Sequence, residues 1–131
     1  MRKTIAALAI ACAALTGTAH AAAPKAPGAY AYGNFQNVVM PPGTDKRKCD
    51  VYSRAAAQMV EMRNDGITYA VAFEDVNRID VINEKIFMIM MLGAAYSKDG
   101  RTAWRDPRSA DWSVMRKCTA WLYNNQQTGE M

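Results

Sequence analysis

Ten consecutive residues, Ile86 to Ala95, are apolar without interruption. A helix that is apolar on every side belongs in a protein interior. Ten residues cannot span a bilayer, which takes about 20. The run therefore predicts one central, buried helix around which the rest of the chain must fold. Asp80 offers a cap for it, and Gly93, Ala94 and Ala95 would let a neighbouring helix approach closely. Ser97-Lys98-Asp99-Gly100 reads as the turn that follows.

Other helices are legible on either side. Thr44 or Asp45 can cap a first helix through Cys49, Tyr52, Ala56, Met59, Val60 and Arg63, which recur at helical spacing. Asn64-Asp65-Gly66 stops it, Gly66 supplying the left-handed residue. The stretch from Ile67 to Phe73 is ambiguous. Ile67, Tyr69, Val71 and Phe73 alternate as in a strand, yet Thr68 can cap and Tyr69, Phe73 and Val76 fit a helix. We read a short helix, because no second strand is evident to pair with it. Residues 101–108 read as a basic loop carrying Arg101, Arg105 and Arg108. Asp106-Pro107 then opens a last helix, with Trp112, Met115, Cys118 and Trp121 at intervals of three and Leu122 beside them. The expected fold is all-α: a small bundle of three to four helices tied by one disulfide, with an extended Pro/Gly-rich N-terminal arm.

The amino end explains why a disulfide is expected. Arg2 and Lys3 precede an uncharged apolar run, and Ala19-His20-Ala21 has the small-x-small pattern of a signal-peptidase site. Cleavage is placed after Ala21, with Ala23 as the alternative. A lipid anchor at Cys12 fits less well, since the apolar run continues past it. The expected organisation is a signal peptide over 1–21, an extended or flexible arm over 22–43, a helical domain over 44–124 and a frayed tail over 125–131. Tyr30, Tyr32 and Phe35 in the arm either pack back on the domain or hang free. The signal is of Gram-negative type and implies a periplasmic or secreted protein. Cys49 and Cys118 remain after cleavage, and an even pair in an oxidising compartment pairs far more often than it stays free. They stand 69 residues apart. A loop of that size is worth roughly 4 kcal/mol in the chain-entropy model.

Composition removes several chemistries. His20, the sole histidine, leaves with the signal, which excludes Ser-His and Cys-His nucleophile pairs and the commonest zinc ligand. Loss of Arg2 and Lys3 turns 16 cations against 12 acids into 14, and net charge falls from +4 to +2. Nucleic acid needs a more concentrated basic face. The cluster Lys46-Arg47-Lys48 reads as a solvated helix start. Met88, Met90 and Met91, or Met59 and Met62, could offer thioethers to Cu(I). Residues 88 and 90 point about 200° apart on a helix, a poor chelate, and methionine ordinarily fills core gaps. No phosphate loop, acidic metal cluster or nucleophile elbow is present. No catalytic residue, metal or cofactor is expected.

The elements Cys49-x2-Tyr52, Met62-Arg63-Asn64-Asp65-Gly66-Ile67, Met88-x-Met90 leading to Tyr96, and the late Cys118 together form a pattern. Over residues 49–120 it resembles short, secreted, two-cysteine helical proteins of proteobacteria, most of them without an assigned activity. In that set a cysteine opens the first helix, an Arg-x-x-Gly or Arg-Asp-Gly stop closes it, and a cysteine in the last helix completes the bridge. The periplasmic acid-stress chaperones share the size and the single disulfide but lack this stop.

Two functions from different classes fit such a chain. One is protein binding, of inhibitor or immunity type, against another periplasmic protein. Trp104, Arg105, Arg108 and Trp112 are the candidate contact residues, because Trp and Arg concentrate at interface hot spots. The other is a stress holdase that uncovers Met-rich apolar surface when packing loosens. The plain reading of Trp104 and Trp112 is that they cover the core.

Overall fold

The computed structural model describes residues 32–128, which form six helices and no strand. The expected signal peptide over 1–21 and the start of the arm lie outside the described residues. The helices are α1 (Tyr32–Phe35), α2 (Lys46–Asn64), α3 (Tyr69–Val76), α4 (Ile82–Tyr96), α5 (Lys98–Ala103) and α6 (Pro107–Thr128). The all-α bundle consists of the four longer ones, with α1 and α5 as single-turn braces.

Local chemistry sets the boundaries of α2. Asp45 caps its start, its carboxylate accepting from the Lys48 amide at 2.9 Å. At its end the Ile67 amide donates to Met62 O and the Gly66 amide to Arg63 O. This pair of bonds needs a left-handed residue between them, and Gly66 has φ +88°. The Ile67–Phe73 ambiguity resolves as helix. Thr68 Oγ1 accepts from the Val71 amide, and Tyr69, Ala72 and Val76 are the buried positions, spaced three and four apart.

Helix α4 is the hub: α1, α2, α3 and α5 all pack on it. Phe87, Met88, Met91, Leu92, Gly93, Ala94 and Ala95 are buried. The expectation of burial on every side holds only from Met91 to Ala95, since Ile89 and Met90 are half-buried. Ile82 and Ile86 near its start are 59% and 44% exposed, because no described element covers that side of the first turn. Its N-cap is Val81 and makes no side-chain cap bond, so Asp80 is not the cap.

Three further expectations need correction. The arm is not wholly extended. Tyr32–Phe35 forms a helical turn between the prolines rather than through them, and it buries Phe35 and, further on, Met40. Ser97 to Gly100 is not a simple turn. Ser97 Oγ accepts from the Gly100 amide and caps α5, so Arg101 is helical and the basic loop shrinks to the residues around Trp104. Gly100 is required here, because a Cβ would stand 1.8 Å from the Ala94 carbonyl oxygen. The last helix extends to Thr128, past the expected domain boundary at residue 124.

Helices α2 and α6 run antiparallel as the most extensive helix pair. Cys49 and Cys118 form the expected disulfide between them, with Cα atoms 5.6 Å apart and both residues almost fully buried. The buried stripe of α6 is Ala110, Val114, Cys118 and Leu122, four residues apart. It is not the three-residue series through Trp112 and Met115. A Lys48–Glu84 ion pair joins α2 to α4. Among the described residues no helix is long and apolar enough to cross a membrane.

Candidate protein-binding surface

A buried arginine fixes the turn that presents this surface. Arg63, in the last turn of α2, is 6% exposed. Its guanidinium donates to Ala95 O and to Trp104 O, each at 2.7 Å, and more distantly to Arg105 O at 3.3 Å. Asn64 Oδ1 accepts from it as well, while Asn64 Nδ2 donates to Arg105 O. Carbonyls in the last turn of a helix have no partner within that helix. One fork therefore closes the end of α4 and holds the backbone leading into α6. Burial and the nearby Arg101 charge both push the Arg63 pKa down from its ordinary value, though a guanidinium stays protonated. Beside it the Tyr96 hydroxyl donates to Ile67 O at 2.6 Å. Arg63, the Gly66 stop and Tyr96, which the sequence pattern groups, thus meet at one joint.

From that joint α6 departs with Asp106 as its cap. The Asp106 carboxylate accepts from the amide and the hydroxyl of Ser109. Those bonds, followed by the nearby Arg105 and Arg108, hold its carboxyl below the usual range. Helix α6 keeps its 110–114–118–122 stripe on the core. Turned outward are Arg108, Trp112, Arg116 and Tyr123, which lie within about 80° of one another at 3.6 residues per turn. Trp112 is 62% exposed and Tyr123 60%. The Arg116 guanidinium carbon stands 4.6 Å from the centre of the Trp112 ring, a stacking that holds both side chains outward. Among the described residues, none of Arg101, Arg105, Arg108 or Arg116 forms an ion pair. The result is an exposed indole beside Arg108 and Arg116 on one helix face, with the Asp106 carboxylate near Arg108 at the helix start.

The four residues singled out from the sequence divide. Arg105, Arg108 and Trp112 are at the surface, the last two on the stripe. Trp104 is fully buried and cannot be a contact residue. Its ring meets the edges of Tyr32 and Phe35 at 5.7 and 5.6 Å between centroids, and Phe35 in turn meets Phe87. Its Nε1 is a buried donor without a partner. Arg116 and Tyr123 were missed, although their spacing from Arg108 and Trp112 is readable as one helix face. Lys117, on the flank of the stripe, donates to Gln36 O at 3.0 Å and rests 5.4 Å from the Phe35 ring centre. It ties the α1 segment to α6, and desolvation lowers its pKa from the ordinary lysine value.

Met40, Met59, Met88 and Met91 are buried in the core. No group of three His, Cys, Asp or Glu side chains that could hold a metal ion occurs among the described residues. Comparison with protein-family models, curated proteins and solved structures finds no match to this chain.

Proposed function

We propose that this chain is an exported protein-binding module of inhibitor or immunity type, whose contact surface is the outward stripe of α6. One observation carries the reading. Trp112 is largely exposed and stacked with Arg116, on a helix held to α2 by the disulfide. A large rigid side chain displayed on a fixed helix loses little entropy on binding. Arginines around it meet a partner carboxylate two bonds at a time. The site expected from the sequence is thereby trimmed to Arg105, Arg108 and Trp112 and extended to Arg116 and Tyr123. The test is capture from periplasmic extract by immobilised protein, compared with Trp112→Ala and Arg108→Glu/Arg116→Glu. A partner retained by the wild type and lost by both variants, at unchanged melting temperature, supports the reading. A partner retained equally by all three refutes it.

A second reading, the stress holdase, draws on a different patch. Val81, Ile82 and Ile86 are exposed together at the start of α4. Apolar-dye binding that rises on acidification and falls in an Ile82→Ser/Ile86→Ser variant would favour it.

A further inference from the structure

The α6 stripe has a counterpart on the same molecule. Helix α3 presents an open cleft of about 360 Å³ lined by Ala70, Val71, Glu74, Asp75 and Arg78. Val71 is 59% exposed, so this open face offers an apolar side chain against which an indole can rest. Around it the chain is acidic. Glu61, Asp65, Glu74, Asp75 and Asp80 are all exposed. The arginines of the same stretch do little to neutralise them, since Arg63 is buried in the joint and Arg78 pairs with Asp75 alone, at 3.7 Å. Glu74 forms no ion pair among the described residues. The stripe has the inverse composition, the Trp112 indole between Arg108 and Arg116, neither of which forms an ion pair among the described residues.

The two surfaces cannot satisfy each other within one molecule. Helix α3 packs on α4 and α2, and α6 packs principally on α2. We propose that a second copy of this chain docks head to tail, its α3 cleft receiving Trp112 while Glu74 and Asp75 face Arg108 and Arg116. This rests on the reading of the α6 stripe as a protein-binding surface, and it names an occupant for that surface when no other partner is present. Different patches meet in such a contact, so it does not close after two copies and further copies can add. Exposed charges supply much of the attraction, so added salt weakens it.

The experiment is light scattering on the oxidised protein over a concentration series, at about 0.05 M and about 0.5 M salt. The expected average mass exceeds that of one chain at low salt, keeps rising with concentration, and falls toward one chain at high salt. Arg108→Glu/Arg116→Glu and Glu74→Lys/Asp75→Lys each place like charges across the contact. Each should weaken self-association roughly tenfold or more, and mixing the two variants should restore it. Their circular dichroism and melting should match the wild type, because all four positions are exposed. A single-chain mass for the wild type at every concentration overturns the proposal, as does an assembly that stops at two copies or ignores the α3 substitutions. If the wild type stays a single chain yet still captures another protein through Trp112, self-docking falls and the protein-binding reading stands. Loss of both removes the stripe as a recognition surface.

Discussion

Replacing Arg63 by methionine keeps most of the buried stem and deletes the fork. Ala95 O and Trp104 O each lose a bond of 2.7 Å. A buried polar group left unpaired costs about 1–3 kcal/mol, so the pair amounts to roughly 2–6 kcal/mol. An opposing effect exists. Arg63 is a buried cation with no carboxylate partner among the described residues, and Arg101 lies near it, so its removal relieves a desolvation cost. Exchanging buried ionic groups for apolar ones is sometimes neutral or stabilising. The carbonyls decide the sign here, because the fork is what joins α2 to the end of α4 and to the backbone before α6. We expect a net loss of about 3 kcal/mol, a drop in Tm on the order of 12–24 °C for a domain of this size. Urea unfolding of the oxidised protein should show a lower midpoint with an unchanged slope. Arg63→Lys should fall between, since one ammonium cannot reach both carbonyls in a fixed fork. An Arg63→Met protein as stable as the wild type would refute the clamp and mean that the unpaired charge costs as much as its bonds return.

Other outcomes follow from the same geometry. Thiol counting in denaturant should find Cys49 and Cys118 oxidised, and both should resist reductant in the native state because they are buried; reduction after unfolding should remove roughly 4 kcal/mol or somewhat less. Gly100→Ala should destabilise by about 3 kcal/mol or more, because the atom it strikes is backbone that cannot rotate away, and an unchanged melt would mean that the α4–α5 junction is looser than its geometry. Asp106 titrates below the usual carboxylate range in the folded chain, so its contribution is complete above the unfolded-state pKa near 4 and is lost as pH falls below it. Asp106→Asn should therefore flatten the acid limb of the stability–pH curve, and an identical limb would contradict the assignment. Tyr96→Phe, which deletes the bond to Ile67 O, should cost about 1 kcal/mol in the same melt.

Much of the fold was legible because its determinants are local. Asp45, Gly66, Thr68 and Asp106 act on backbone within a few residues of themselves, and each does what its type and position suggest. The errors arose where distant contacts decide. Covering the core is the plain reading of both Trp104 and Trp112, and it holds for Trp104 alone, because α1 brings Tyr32 and Phe35 against that ring from far along the chain. The stripe of α6 was misread because Trp112 and Met115 outweighed Ala110 and Val114. Large apolar residues catch the eye, but a close α2–α6 approach favours small ones. Ile86 reads as core from the apolar run it opens, and only the arrangement of neighbours leaves it 44% exposed. That Arg108, Trp112, Arg116 and Tyr123 share one face of α6 is readable from their spacing.

The bridge also decides how the chain answers a mechanical load. It closes a loop of 69 residues that contains nearly all of α2, the whole of α3 to α5 and the first half of α6. Tension applied along the chain outside the loop passes through two sulfur atoms and never reaches the interior. At about 3.5 Å per extended residue, roughly 240 Å of contour stays locked. What yields first is the segment outside the loop, where Phe35 and Met40 are drawn from the core and the hydrogen bond from Lys117 to Gln36 lets go. A pulling protease or translocating motor would meet a short compliant lead, then a knot that only a reductant can untie.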